Sequence, residues 1–595
     1  MNWNRLLVTT LQALIVTTSA AALAGAGGAP SDLRAGLHEY IEREMRENRI
    51  VGLSAAVIAG GRTVVLEGFG TADRETGVPV TARTLFPIGS TTKLFTATAV
   101  MQLVEKGLVD LDAPIETYLP DFSIRRRNGQ EGAITVRQLL THHSGLPGNL
   151  YADFQPDEPR PDEFRRLPEL VGSQTLADRP GTVFAYSNLG YALLGCVIES
   201  VSGLPYTAYV QANVLNPLRM TQTLMLPPEN PTAESNPQVT RGYRGRRAVD
   251  VYAIRDLPAG AMLSSGVDMT AFMRMVLSAG AAPSGRILKR GTFEQMVRRQ
   301  NAGVDLDQDF AIGLGYWLID PIGLPGERLA SHGGDLPPFH SVLVTLPDAG
   351  IAVFLAGNSA TTRGTVITMA SEIVRRVYEA ETGVACPPME PADRVALEPE
   401  FASSLPGLYA SPVGLLEVTI RGGRLRLGIE GLPLKLELVP RADGTFTPEL
   451  RLLRLIRLRP EGLDGLVFRP FRVDGTQCLQ IAAAGVAAGA AMRFDPAPPQ
   501  PQWLDRTGRY RITKGGSNGV RENLQSVRVD YDRRRGVMLL RCRLVGQRMS
   551  LPLGILGDNR AVILGHGNGL GDTLEWLDTP SGEALHWSGL TLERE

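Results

Sequence analysis

Pro87-Ile88-Gly89-Ser90-Thr91-Thr92-Lys93-Leu94-Phe95-Thr96-Ala97-Thr98-Ala99-Val100-Met101 opens an apolar run that ends near Gly107. The run reads as a helix buried nearly all round. Residues three apart share a helix face, so Ser90 and Lys93 can touch where the backbone N–H groups of the helix start converge. That arrangement suits acyl transfer: a serine hydroxyl needs a base, and an amine whose pKa is depressed by burial can be one. Bringing a lysine from about 10.4 to near 7 takes roughly 4–5 kcal/mol of differential destabilisation of its charged form. Arginine cannot lose its proton in this way. The chain has 61 basic residues, yet only Lys93, Lys106, Lys289, Lys435 and Lys514 are lysine, so a lysine in an apolar helix start stands out. Taken alone, the pair also fits a lysine at a helix edge with its amine reaching water.

Two further segments extend the pattern. Thr182-Val183-Phe184-Ala185-Tyr186-Ser187-Asn188-Leu189-Gly190-Tyr191 sets a phenol and a carboxamide two residues apart at the entrance to a second apolar helix. A buried tyrosine can shuttle a proton there and an asparagine can hold a substrate amide; a capping turn with a core tyrosine is the plainer reading. Ala330-Ser331-His332-Gly333-Gly334-Asp335 precedes a strand, and its glycine pair lets a substrate lie close to the backbone. No Gly-x-Ser-x-Gly elbow occurs, so a Ser-His-Asp triad on an α/β-hydrolase sheet is disfavoured.

In this order the three segments resemble those of the penicillin-recognising serine hydrolases: class C β-lactamases, D-alanyl-D-alanine carboxypeptidases, D-aminopeptidases and related esterases. Their pattern is Ser-x-x-Lys, Tyr-x-Asn, then Lys-Thr-Gly or His-x-Gly. Ile134 to Pro147 and Pro258 to Ser265 are also similar to family segments, and the resemblance covers roughly residues 32 to 382. It implies Ser90 as nucleophile, Lys93 and Tyr186 as general base and acid, and Asn188, His332, Gly333, Gly334 and Asp335 as substrate-binding residues. The N–H groups of Ser90 and Asp335 would form the oxyanion hole. His332 stands where the β-lactam specialists carry lysine, which favours the esterase or peptidase side. Pro337-Pro338-Phe339 departs from the glycine-containing stretch common in the family, implying a stiffer rim. His142 and His143 are read as packing and loop-fixing residues.

Working outward, Leu33, Leu37, Tyr40, Ile41 and Met45 recur at helical spacing. A hairpin follows through Leu53–Ile58 and Thr63–Leu66, joined across Gly60-Gly61. Strands around Ser341–Val344 and Ile351–Leu355 then precede a helix from about Thr365 to Tyr378. Elements from both ends would form one antiparallel sheet flanked by helices, with a helical section between them: an α/β (α+β) hydrolase domain over 25–385. Proline-rich stretches at 387–399 and 496–501 mark linkers. Gly407-Leu408-Tyr409 recurs as Gly508-Arg509-Tyr510, each followed by strand-like alternation, which predicts a tandem repeat of two small antiparallel β-barrels. The expected domains are a signal peptide over 1–24, the hydrolase, a linker over 386–400, and barrels over 401–495 and 496–595. Such a hydrolase followed by two barrels is similar to the D-aminopeptidase arrangement, whose last barrel sends a loop toward the active site. Gly565-His566-Gly567-Asn568-Gly569-Leu570-Gly571-Asp572 is the candidate loop, with Asp572 able to pair with a substrate amine; a plain hairpin loop is the other reading. Arg533-Arg534-Arg535 reads as a solvated hairpin turn.

Arg5 followed by the uncharged run Leu6–Ala29 reads as a secretory signal, with an uncleaved anchor as the alternative. Export to the periplasm or medium is expected, with no integral membrane domain after cleavage. Cys196, Cys386, Cys478 and Cys542 are far apart and read as structural thiols. The seven histidines have neither His-x-x-x-His nor Cys-x-x-Cys spacing, so neither metal nor cofactor is expected. With 61 basic against 62 acidic side chains, nucleic-acid partners are disfavoured. The expected activity is hydrolysis of a small amide, peptide or ester, D-amino-acid-containing substrates included, through an acyl-enzyme on Ser90. A penicillin-binding or sensor-like protein acylated without efficient turnover is the alternative.

Overall fold

The central strand, Gly52–Ala59 (β1), is buried along its whole length, because both of its faces are covered. Leu53, Ala55 and Val57 point to one side, and Ala56 and Ile58 to the other, following the two-residue period of a strand. β1 pairs antiparallel with Arg62–Asp73 (β2) across the glycine turn and with a strand from the other end of the domain. With Ala330–Leu336 (β3), Phe339–Leu346 (β4) and Ile351–Gly357 (β5), the sheet order is β3-β4-β5-β1-β2, and the short segment Val78–Pro79 adds a sixth edge strand. β1 and β5 register Val57 opposite Val353, so residues some 300 positions apart form the middle of the sheet.

Helix Pro30–Glu47 (α1) and helix Thr365–Thr382 (α5) cover one face, packing Leu37, Ile41, Ile373 and Val377 on Leu53, Val57 and Leu355. On the other face lie helices Thr92–Glu105 (α2), Asn188–Ser202 (α3) and Gly266–Leu277 (α4), whose Phe95, Leu193 and Phe272 join Ile58 and Phe354. Each aliphatic side chain fully removed from water contributes about 1.5–3 kcal/mol, so a three-layer sandwich is the stable arrangement. α2 shows why burial, rather than amphipathicity, governs the site: every residue from Thr92 to Leu103 is buried.

Beyond the hydrolase domain stand two closed eight-stranded antiparallel barrels. The first runs from Gly407–Ser411 to Val486–Phe494 and closes where Lys435–Pro440 pairs with Phe446–Leu452. The second runs from Gly508–Lys514 to Leu590–Arg594 and closes by pairing those two strands. Arg535, read from sequence as part of a solvated turn, instead lies between the barrels, with its guanidinium 2.7 Å from Glu430 and 3.2 Å from Glu417. Arg541 also reaches Glu430 at 3.0 Å, beside an apolar contact of Leu415 with Val537 and Leu539.

The structure, a computed structural model, describes residues 30–595 apart from 153–162, 226–235, 252, 321, 325–326, 387–391, 433–434, 453–455, 459–464, 484–485, 545–546 and 581. The expected signal segment and much of the first proline stretch lie outside the described residues. The four cysteines are free thiols, three of them buried. Among the described residues no single helix is long and apolar enough to cross a membrane, and no cluster of His, Cys, Asp and Glu could hold a metal ion.

Candidate active site

Ser90 lies in a single 3-10 turn, Gly89–Thr91, at the head of α2. The turn is wedged against β3. Gly89 has φ +50°, and a Cβ there would sit 2.8 Å from the Asp335 nitrogen, while one on Gly334 would fall 1.8 Å from the Ile88 oxygen. Ser341 Oγ on β4 donates to that Ile88 carbonyl at 2.7 Å, locking turn to sheet. One helical turn on, Lys93 is fully buried and its Nζ lies 3.1 Å from Ser90 Oγ. Its other two partners are Asn188 Oδ1 at 2.7 Å and the Ala259 carbonyl at 2.6 Å. Both of these only accept, so a neutral amine would spend its two N–H bonds on them and leave its lone pair for the Ser90 hydroxyl. Burial holds the Lys93 pKa well below the usual lysine value, opposed by the Asp256 carboxylate. That carboxylate is itself paired with the equally buried Arg255 at 2.7 Å.

Tyr186 approaches Ser90 from the other side and its hydroxyl is hydrogen-bonded to the serine. Burial pushes the phenol well up, so it stays protonated. The backbone around it is held at several points. Ser187 caps α3 through Gly190 N–H, and its own N–H donates to His142 Nδ1 at 3.0 Å. Phe184 N–H donates to Asp307 Oδ1 at 2.7 Å, and the other Asp307 oxygen lies 2.8 Å from His143 Nε2. His142, whose ring stacks 4.3 Å from that of Tyr186, is pulled well down by burial and by Lys93. Both histidines hold the loop that carries Tyr186.

On β3, His332 is buried and its Nδ1 lies 2.6 Å from the Gly333 carbonyl. A carbonyl cannot donate, so Nδ1 carries the proton and Nε2 presents a lone pair. Burial and the nearby lysine bring the His332 pKa down to about 3, and Nε2 has no hydrogen-bond partner among the described residues. Asp335 faces outward at the rim; burial pushes its carboxyl up, but a hydrogen bond from His340 and the charge of Arg363 outweigh it and hold the group ionised.

A serine flanked by a fully buried lysine and a protonated tyrosine, against an edge strand, is the motif set expected of one family, and residues 37–374 match the Beta-lactamase family. The chain belongs to this Beta-lactamase family. Among its relatives is Penicillin-binding protein 4 of Amycolatopsis lactamdurans, 30% identical over 58% of this chain and 91% of that protein. Protein flp of Staphylococcus aureus (strain N315) is 25% identical over 55% of this chain, which spans 64% of its length. The solved structure of SurE superimposes with a TM-score of 0.57 at 28% identity, covering 78% of this chain and all of SurE. A second, of SurE with D-Leu, gives 0.55 at 26% identity.

Ser90, Lys93, Tyr186 and Asn188 thus meet in one cluster, with His332, Gly333, Gly334 and Asp335 along its edge strand. Asp572 fits the plainer of its two readings. It is buried, and Trp587 Nε1 and Ser588 Oγ of the second barrel donate to it at 3.2 and 3.1 Å. The glycine-rich loop before it does reach the hydrolase. Asn568 Oδ1 accepts the Tyr186 N–H at 2.6 Å, and His566 Nδ1 meets the buried Asp178 at 2.5 Å. Sequence reading missed Asn149, Asp307 and Asn568 as holders of the site. Asn568 lies within the loop singled out for its glycines, and Asn149 comes two residues after the family-like Gly145-Leu146-Pro147; Asp307 carries no local signal.

Proposed function

We propose that this chain is an exported serine hydrolase that cleaves a small amide, peptide or ester through an acyl-enzyme on Ser90. The observation that carries this is the amine of Lys93, with both N–H bonds committed to Asn188 and Ala259 and its lone pair left for a hydroxyl 3.1 Å away. Ser90 Oγ attacks the substrate carbonyl carbon as its proton passes to Lys93, and the carbonyl oxygen becomes an oxyanion facing the Ser90 and Asp335 N–H groups. The leaving amine or alcohol takes a proton from the Tyr186 hydroxyl, which Lys93 replenishes. Water then repeats the sequence on the acyl group, with the base now acting on water.

A neutral His332 offers an acceptor where a cationic lysine would seat a carboxylate, so the site favours a substrate with an N–H or O–H donor there. The likeness to SurE, solved with D-Leu, supports including D-amino-acid-containing substrates. The likeness to a penicillin-binding protein supports the second reading, in which Ser90 is acylated and turnover is slow.

Labelling with a fluorophosphonate and a fluorescent penicillin, followed by a panel of p-nitrophenyl esters, D-alanyl anilides and a chromogenic cephalosporin, separates the readings. Ser90→Ala is expected to abolish labelling and lower any turnover by about 10³-fold or more; undiminished turnover would refute the nucleophile. Stable labelling without product release would select the second reading. The kcat/KM profile is expected to fall on acidification as Lys93 takes up a proton, with no inflection from His332 between pH 5 and 8, because that ring titrates near 3.

A further inference from the structure

A short strap, Pro147 to Ala152, runs between the catalytic cluster and the second barrel. At its catalytic end the Pro147 carbonyl accepts Ser187 Oγ–H at 2.8 Å and the Gly148 carbonyl accepts Asn188 N–H at 2.8 Å. Asn149 Oδ1 then accepts from Asn188 Nδ2 at 2.9 Å. At its far end Tyr151 N–H donates to the Ser588 carbonyl at 2.9 Å, and the Tyr151 ring packs into the apolar interior of the second barrel, 6.0 Å from Trp587. The Tyr151 hydroxyl is in turn hydrogen-bonded to Asn149. Arg255 grips the strap from below through the Leu150 and Ala152 carbonyls at 3.0 and 2.5 Å. The barrel is pressed against it: at Gly589, φ +81°, a Cβ would lie 2.8 Å from Leu150 and 2.9 Å from Ala152.

The two ends of a carboxamide are nearly the same shape, yet for Lys93 they are opposites. With its oxygen toward the amine, Asn188 takes an N–H bond and leaves the lone pair for Ser90. Turned over, its NH₂ would donate to that lone pair and remove the base from the serine. The group that opposes the turn is Asn149 Oδ1, which can only accept. We propose that Asn149 and Tyr151 are positioning residues: the second barrel, by holding Tyr151, orients Asn149, which orients Asn188 and so keeps the Lys93 lone pair directed at Ser90. This rests on the reading of Lys93 as the base for Ser90. Neither residue needs to touch the substrate, and the barrel thereby becomes part of the catalytic unit by geometry alone.

The test uses the full chain, steady-state hydrolysis of a p-nitrophenyl ester across pH, and thermal unfolding of each variant. Asn149→Ala should lower kcat by about 10- to 100-fold, with KM changed by less than about twofold, and should move the acid limb to lower pH, since an amide N–H facing the amine disfavours its protonation. Asn149→Asp keeps an acceptor toward Asn188; it should recover most of the lost kcat and move the acid limb to higher pH, because the added carboxylate favours the ammonium. Tyr151→Phe keeps the ring in the barrel and should lower kcat several-fold, with the unfolding midpoint lowered by no more than the loss of one hydrogen bond explains. A purely structural role would lower the midpoint and leave the acid limb where it was. Wild-type acid limbs in both Asn149 variants, or a Tyr151→Phe enzyme equal to wild type, would overturn the positioning role. Ser90→Ala, run alongside, keeps the two ideas apart. If it still turns over, the nucleophile reading falls and takes this one with it. If it is dead while the Asn149 variants keep the wild-type limb, only the positioning role falls.

Discussion

The two barrels are copies in detail, yet they hold different positions toward the catalytic centre. Tyr409 Oη donates to the Leu405 carbonyl at 2.6 Å, and at the equivalent place Tyr510 Oη donates to the Arg506 carbonyl at 2.8 Å. Gly407 is packed on Arg493 just as Gly508 is on Arg594, each with a φ near +150° and a would-be Cβ 2.9 Å from the guanidinium Nε. A short helix, Pro399–Ser404 or Pro501–Asp505, leads into each. The first barrel meets the hydrolase at the 307–309 loop, through Gln480 to the Asp307 carbonyl and Arg469 to Asp309. The second meets it at Tyr186 and at the strap beneath Asn188. A repeated fold thus carries a repeated core, while its contacts are set by single loops.

Breaking the second barrel's contact should cost activity, and backbone strain confined to the first barrel, away from the hydrolase, should not. Gly571 has φ +79°, and a Cβ there would come 2.3 Å from the Ala177 carbonyl. Gly571→Ala is expected to force the loop off the hydrolase and lower kcat by about 10²-fold. Gly422→Ala, at a hairpin turn of the first barrel with φ +60° and open space around it, should cost about 1 kcal/mol of stability and leave kcat intact. Equal kinetic losses from both would end the distinction. Asn568→Ala removes only the acceptor of the Tyr186 N–H, and a fall in kcat of about tenfold is expected by the same assay.

Stability measurements sharpen the comparison at the level of the cores. Tyr409→Phe loses one hydrogen bond, about 1 kcal/mol in chemical denaturation. Tyr510 Oη also accepts from Trp576 Nε1 at 3.1 Å, so Tyr510→Phe leaves a buried N–H unpaired and should cost about 1 kcal/mol more. The smallest effect concerns the loop's ionic anchor. Burial alone would lower the His566 pKa, but the hydrogen bond and charge of Asp178 outweigh it and raise the value above 6.5. The native state then binds the extra proton, so the anchor stabilises fully below the unfolded value and fades as pH climbs through the raised one. His566→Ala should lower Tm by about 2–4 °C at pH 6, and by less at pH 9, in differential scanning calorimetry.

Much of this molecule is written in local spacing. The i,i+3 pair Ser90 and Lys93, the capping serine between Tyr186 and Asn188, the alternation of the strands and the recurrence of Gly-x-Tyr all follow from periods and turn chemistry that a chain carries along itself. Asp572 was open to two readings for the same reason. Its place in a glycine-rich loop is visible in sequence, but whether its carboxylate points out to the cleft or in to Trp587 depends on the closed barrel around it.

What the amino-acid sequence alone determined is therefore which chemical groups are present, in which order, and on which kind of element. Only the tertiary structure decided that burial holds the Lys93 amine well below the usual lysine value, that His332 is an acceptor rather than a cation, and that Asn568, 382 residues beyond Tyr186, holds its backbone. The physical reason is that pKa values and side-chain orientations are set by what surrounds a group. Those surroundings are assembled from segments whose separation along the chain leaves no periodic trace.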